Sequence, residues 1–443
     1  MIFSPIIVVG SGPSGTTFCM SAMKNNKNIK KILMLDQGYI KKNNKKNIEK
    51  ISKKKIYHPK LINDEYHFVT KNYKSKNKII EKNFFTIGSL ALGGLSNVWG
   101  GGYWENKKTN NKDYNYFVKK YFEVYSSNSK DSYSLSNYLN KYKTNNNLKY
   151  KPAKLISFKG QSEVYNSKKM LEILNKLNNF TYKGNCYIES IIYKNGYYIL
   201  IDDRKKKYKC KKLILACGTL STTRLILKFT KIKNIKIKLL HNLSYGFLGI
   251  LKNNIKYENL EKHNANSVFF FKDKKTKLKI SGSVGRYNYE FANLIKLKYP
   301  LMGFFLNKFL NFFKNKIIIG NLFLPSKFVS SEVFLNEKNN LFIDGKINKR
   351  FKKQSNQILK NYFKSNLSFN KIFMQRFPLG SDAHYSSTLN NHSNVIGLRT
   401  NEQGQLENHK NLYIVDASIL SNRPSLFPTF EVMRKAFYIG KFF

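Results

Sequence analysis

Changes in the spacing of apolar residues divide this chain into strands and helices. Residues 6–9 (IIVV) form a continuous β-branched run, the pattern of a strand covered on both faces in a parallel sheet. A largely apolar stretch, TTFCMSAM (16–23), reads as a helix, and KKILMLD (30–36) as a second strand. Far along the chain, KKLILACGTLSTTRLIL (211–227) repeats the arrangement of buried strand, glycine and helix. LYIVD (412–416) is a further strand, and PTFEVMRKAFYIG (428–440) is an amphipathic helix with proline in its first turn. The middle is patterned differently. Residues 268–285 and 316–347 alternate short β-rich runs with turn residues, as an antiparallel sheet does. Segments 43–55 and 128–147 read as polar, loop-like insertions. Residues 290–315 read as one or two helices, broken near Pro300, with aromatic faces and lysine flanks. They are either core helices or a cover over a substrate channel that rests on an anionic membrane.

Glycines give the first strand a chemical meaning. GSGPSG follows it directly and sets Gly10, Gly12 and Gly15 in GxGxxG spacing, with Pro13 and Ser14 between them. Asp36 closes the second strand about twenty residues later. In a dinucleotide site the first glycine makes the tight turn, the second admits a pyrophosphate and the third lets helix and strand pack closely. The helix N-terminus stabilises the phosphate, and the acid receives a ribose hydroxyl. The second approach of the chain to a nucleotide, at Ala216-Cys217-Gly218, favours FAD over NAD(P). The strand on the adenine side is expected within GNCYIESI (184–191). Another stretch, LGGLSNVWGGGYW (92–104), gathers five of the 25 glycines and both tryptophans without a charged residue. Backbone so bare lets another molecule approach within contact distance.

Composition narrows the partners. At 443 residues the chain is long enough for two domains. Its 79 basic against 26 acidic residues give a formal net charge of +53, which suits an anionic membrane surface, a phosphorylated carrier or nucleic acid. No nucleic-acid module of recognisable spacing is present, and the lysines are scattered, so no specific nucleic acid is expected. Cys19, Cys186, Cys210 and Cys217 have no metal-ligand spacing and read as reduced, buried thiols. The first strand begins within a few residues of Met1, leaving no room for a signal peptide, and 299–313 is too short and too charged to span a bilayer. A cytoplasmic protein, held at most peripherally on a membrane, is the expectation.

Three stretches resemble the glucose–methanol–choline (GMC) oxidoreductases: the loop at 92–104, ACGTLSTTRLIL, and HKNLYIVDASILSNRPSLFPTFEVMRKA (409–436). With the N-terminal 40 residues they cover the front, two inner pieces and the end of the chain, and they are closest to the GMC-like proteins of surface-polysaccharide gene sets. The resemblance implies an α/β fold in which an FAD-binding Rossmann-like domain with a parallel sheet is joined to an α+β substrate domain with an antiparallel sheet. The FAD domain would comprise 1–41, 81–106, 166–240 and 376–443, and the substrate domain 42–80, 107–165 and 241–375. It further implies flavin contacts at Gly93, Gly94, Ser96 and Asn97, with Gly100 to Gly102 along the ring and Trp99 or Trp104 nearby. Ala216, Gly218, Asp416, Ala417, Pro428 and Thr429 complete the set. The closing helix would point its N-terminus at the flavin and stabilise its reduced, negative form.

The implied activity is oxidation of a hydroxyl group of a sugar, polyol or glycan-linked substrate, with hydride transfer to flavin N5. The electron acceptor stays open among oxygen, a quinone and another protein. The family's base falls on His384 in AHYSSTL, with His392 as the competitor. Two positions depart from the family. Where some relatives attach FAD covalently through a histidine, this chain has Val98, so FAD is expected to bind non-covalently. Where the family has histidine or asparagine before the proline of its closing helix, this chain has Phe427, which cannot hydrogen-bond a substrate. Asn422 or Arg423 would then supply the contact, or the reaction differs or is lost.

Overall fold

The strand Ile6–Val9 lies at the centre of a five-stranded parallel sheet. Its neighbours are Ile32–Leu35 on one side and Lys212–Leu215 on the other, with Phe180–Lys183 and Leu412–Ile414 at the edges. All four residues of each of the first two strands are buried, as their unbroken apolar runs require. The computed structural model describes residues 1–26, 28–41, 61, 66–103, 112–126, 129–160, 163–255, 266–288, 292, 303–393, 395–421 and 428–443. The polar segment 43–55 therefore lies outside the described residues.

The opening helix (Pro13–Asn25) packs along the closing helix (Pro428–Lys441). Ser21 Oγ donates to the Phe437 carbonyl at 2.7 Å, and a Cβ on Gly440 would stand 2.7 Å from the Phe18 carbonyl oxygen. The adenine-side strand differs from the expectation at 184–191. The edge of the parallel sheet is Phe180–Lys183, and the strand beginning at Ile188 belongs to a separate four-stranded sheet. Asn185, with φ +51°, turns the chain between them, and the amides of Asn185 and Cys186 bond back to Gln37 and Asp36.

A six-stranded antiparallel sheet forms the second layer system, in the order Phe369–Arg376, Leu243–Leu251, Ile317–Leu324, Lys279–Arg286, Ser267–Lys272 and Leu148–Pro152. The fold class is thus α/β, with a parallel sheet joined to antiparallel and mixed sheets. The segment 128–147, expected as a loop, contains the helix Ser129–Lys141. Leu135 and Leu139, four residues apart, are fully buried against the core. Its polar residues serve the sheet as well: Ser136 Oγ bonds Ser267 Oγ at 2.8 Å, and Asn140 bonds both the amide and the carbonyl of Tyr150. Of the segment 290–315, the described part contains the helix Gly303–Phe312. No described helix is long and apolar enough to cross a membrane.

Candidate nucleotide and substrate site

The glycine loop leaves strand Ile6–Val9 with Gly10 at φ +109°, where a Cβ would overlap the carbonyl of Ala216. A Cβ on Gly15 would overlap the Gly10 carbonyl oxygen, so this glycine permits the close packing of helix on strand. Gly12 is the opposite case: a Cβ there meets nothing within 4 Å. A side chain there would point into an open-mouthed cavity.

Pro13, Ser14, Asp36, Gly94, Ala216, Gly218, Asp416, Ala417, Pro428 and Thr429 also line this cavity, as does His384. Three helix N-termini open into it: Gly12–Pro13, Gly218–Thr219 and Pro428–Thr429. The first two have no side-chain cap, so their first-turn amides are left for a ligand. Converging positive helix ends suit an anionic group.

Asp36 is held by Ser11, whose hydroxyl donates to it, while Ser11 Oγ accepts from the Gly93 amide at 2.9 Å. Ser11 thus ties together the glycine loop, the acid and the loop at 92–98, a role the sequence reading missed. Its signal was only a small polar residue inside the GxG turn. Burial pushes the Asp36 carboxyl up to about 7, although hydrogen bonds from Ser11 and nearby amides oppose the shift. Asp416 is likewise raised by burial. Its carboxylate accepts from the Gly218 amide (3.0 Å), Thr222 Oγ1 (2.5 Å) and both the amide and hydroxyl of Ser418. It braces the two loops that meet at the cavity.

Of the described residues of the loop at 92–104, Gly94 and Leu95 line the cavity. Gly93, Ser96 and Asn97 do not line the cavity. A Cβ on Gly93 would face Asn166 and Ser96. Ser96 Oγ donates to the Gly93 carbonyl at 2.6 Å and accepts from the Ser167 amide, while Asn97 Nδ2 donates to the carbonyls of Leu92 and Gly94. These side chains shape the loop that presents Gly94 and Leu95. Gly100 to Gly102 also stand away from the cavity lining. Gly101 bonds Ile156 through its carbonyl, and Gly102 bridges Leu155, so this turn docks the strand Lys154–Phe158. Trp99 packs edge-on against Tyr165, and Trp104 lies outside the described residues. Val98 is buried.

His384 lies in a segment fixed from both sides. Thr219 Oγ1 donates to the Tyr385 carbonyl at 2.7 Å, and Tyr385 Oη accepts from the Ile87 amide and donates to the Gly380 carbonyl. The imidazole Nδ1 is 3.6 Å from the buried carboxylate of Asp382, and its ring faces that of Phe323 at 6.4 Å. His392 is exposed and outside the cavity lining. Phe427, Asn422 and Arg423 lie outside the described residues. Among the described residues no group of three or more His, Cys, Asp or Glu could hold a metal. Tyr73 and Asn77, from a segment assigned to the substrate domain, line the cavity too.

No protein-family profile and no characterised sequence matches this chain. Solved structures do. Pyridoxine 4-oxidase from Mesorbium loti has a TM-score of 0.68 over 99% of this chain and 98% of its own, at 10% identity. A formate oxidase from Aspergillus oryzae RIB40, solved to follow the effect of a mutation on FAD modification, gives a TM-score of 0.62 at 11% identity, covering 99% of this chain and 98% of its own. A further formate oxidase structure gives the same values. The chain thus shares the fold of these oxidases.

Proposed function

We propose that this protein is an FAD-dependent oxidoreductase that oxidises a hydroxyl group of a sugar, polyol or glycan-linked substrate in the cytoplasm, with FAD bound non-covalently. One observation carries the reading: the glycine loop, Asp36, Gly94, Gly218, His384 and Pro428, spread over more than 400 residues, line a single cavity. The sugar-like substrate class is supported by the resemblance to polysaccharide-associated relatives.

The residues fit the cofactor. The open space above Gly12 and the uncapped first turns at Pro13 and Thr219 would take the pyrophosphate, and Asp36 the ribose. Bound flavin would supply the two-electron acceptor for the hydride of the carbinol carbon. His384 would take the hydroxyl proton as the hydride leaves, with the Asp382 carboxylate 3.6 Å away to balance the imidazolium. Val98 offers no nucleophile for a covalent bond, and burial holds the Cys217 thiol protonated.

Anaerobic mixing with a panel of sugars and polyols tests this directly, since a substrate will bleach the flavin absorbance. His384→Ala should retain flavin and fold but slow the bleaching by about 10²–10⁴. Protein purified without flavin, or bleaching at the parent rate in the variant, overturns the reading. Phe427 motivates a second reading, a flavin-binding protein that has lost alcohol oxidation. That reading gains if no alcohol bleaches the parent but Phe427→Asn gains the reaction.

A further inference from the structure

The antiparallel sheet carries a surface that the chemistry above does not use. On its inner side, helix Gly303–Phe312 buries Leu310 against Tyr287 and Ile317, with Leu248 and Ile319 packed alongside. Its outer side is apolar as well. Phe305, Phe309 and Phe312, spaced four and three residues apart on one face, are 74%, 60% and 83% exposed. The adjoining strands continue this surface. Exposed Ile250 pairs with Ile317, and exposed Phe373 pairs with Leu248, so both stand next to the residues that seat the helix.

Charge identifies what this face fits. Between 303 and 331 the sequence has four lysines (Lys308, Lys314, Lys316 and Lys327) and no acidic residue. Lys308 and Lys314 are exposed. A second copy of the chain would bring two such lysine-ringed faces together against a net charge of +53 each. A nucleic acid could stack on phenylalanine but gains nothing from Leu306 and Ile250, both also exposed. Protruding aromatic and aliphatic side chains ringed by lysines match the boundary of an anionic bilayer, with hydrocarbon below and phosphate above.

We propose that helix Gly303–Phe312 and the exposed residues of its neighbouring strands dock this protein on an anionic lipid surface, with the phenylalanines inserted among the acyl chains and Lys308 and Lys314 on the headgroups. No transmembrane segment is needed, and the proposal stands whether or not the protein oxidises alcohols.

Full-length purified protein is sedimented with vesicles of phosphatidylcholine alone or mixed with phosphatidylglycerol. Binding is expected to the mixed vesicles only. Phe305→Ser/Phe309→Ser/Phe312→Ser should weaken it by at least about tenfold. Lys308→Gln/Lys314→Gln/Lys316→Gln should do the same, whereas Lys205→Gln/Lys206→Gln/Lys207→Gln, an equal loss of charge on another sheet, should leave most of the binding. Undiminished binding of the phenylalanine variant, or equal loss in both lysine variants, overturns the proposal. A single change guards against misfolding of the triple variant: Phe312→Cys carrying an environment-sensitive dye should shift to the blue on mixed vesicles, and no shift overturns it. Binding to a single-stranded homopolymer RNA that is lost in the same phenylalanine variant would reassign the face to nucleic acid.

Discussion

Gly12 and Gly15 are three positions apart, yet a side chain fails at each for a different reason. At Gly12 it would enter the open cavity, and at Gly15 it would strike the Gly10 carbonyl. Gly12→Val should therefore unfold in urea within about 0.5 kcal/mol of the parent but elute from gel filtration without flavin. Gly15→Ala should lose about 1–3 kcal/mol or more, because backbone rather than a mobile side chain stands in the way. Asp36 adds a pH dependence. Its carboxyl stays protonated up to about 7 when folded, against an ordinary value of 3.8, so between those values the folded state holds the extra proton. Stability from this group is full below about pH 4 and is lost as pH rises through about 7. In flavin-free protein, unfolding free energies at pH 5 and pH 8 should differ less in Asp36→Asn than in the parent. An equal difference in both would mean that burial does not control this carboxyl.

The opening and closing helices depend on each other at a glycine. Gly440 lies where a Cβ would crowd Phe18 and Ala22 of the opening helix. Gly440→Ala should cost about 1–3 kcal/mol by overpacking, read as a lower urea midpoint with an unchanged slope. These elements were legible in the sequence because strands buried on both faces write themselves as unbroken apolar runs, as in IIVV and LYIVD. The helix Ser129–Lys141 was not, because Ser136 and Asn140 turn toward the sheet and bond it, which blurs the apolar stripe. The glycines at 100–102 are ambiguous for a related reason. A glycine cluster announces a close approach but not by what, and here strand Lys154–Phe158 makes the approach. Gly12 and Asp36 could be picked out because each follows a readable strand, whereas His384 was singled out by the family resemblance alone. Ser11 and Asp382 could not, since their roles arise from partners distant in sequence or from a geometry that spacing does not encode.

Across the whole molecule the excess of 79 basic over 26 acidic residues works against compactness. Raising salt from 10 to 100 mM shortens the screening length from about 30 Å to about 10 Å. The melting temperature should rise over that interval, and a fall would show that local ion pairs outweigh the general repulsion. The order of the parallel sheet has a different consequence, one that concerns time. Strand Lys212–Leu215 sits between Ile6–Val9 and Leu412–Ile414, so the sheet joins pieces of chain separated by about 400 residues. At about 5–20 residues per second, the ribosome delivers the last of these strands roughly 20–80 s after the first. Until then the nascent chain carries Lys212–Leu215 with a bare edge, and the helix that begins at Pro428 does not yet exist to close the cavity. A translation product that stops short of Leu412 would therefore reach the cell with most of its mass, an open sheet and an incomplete cavity.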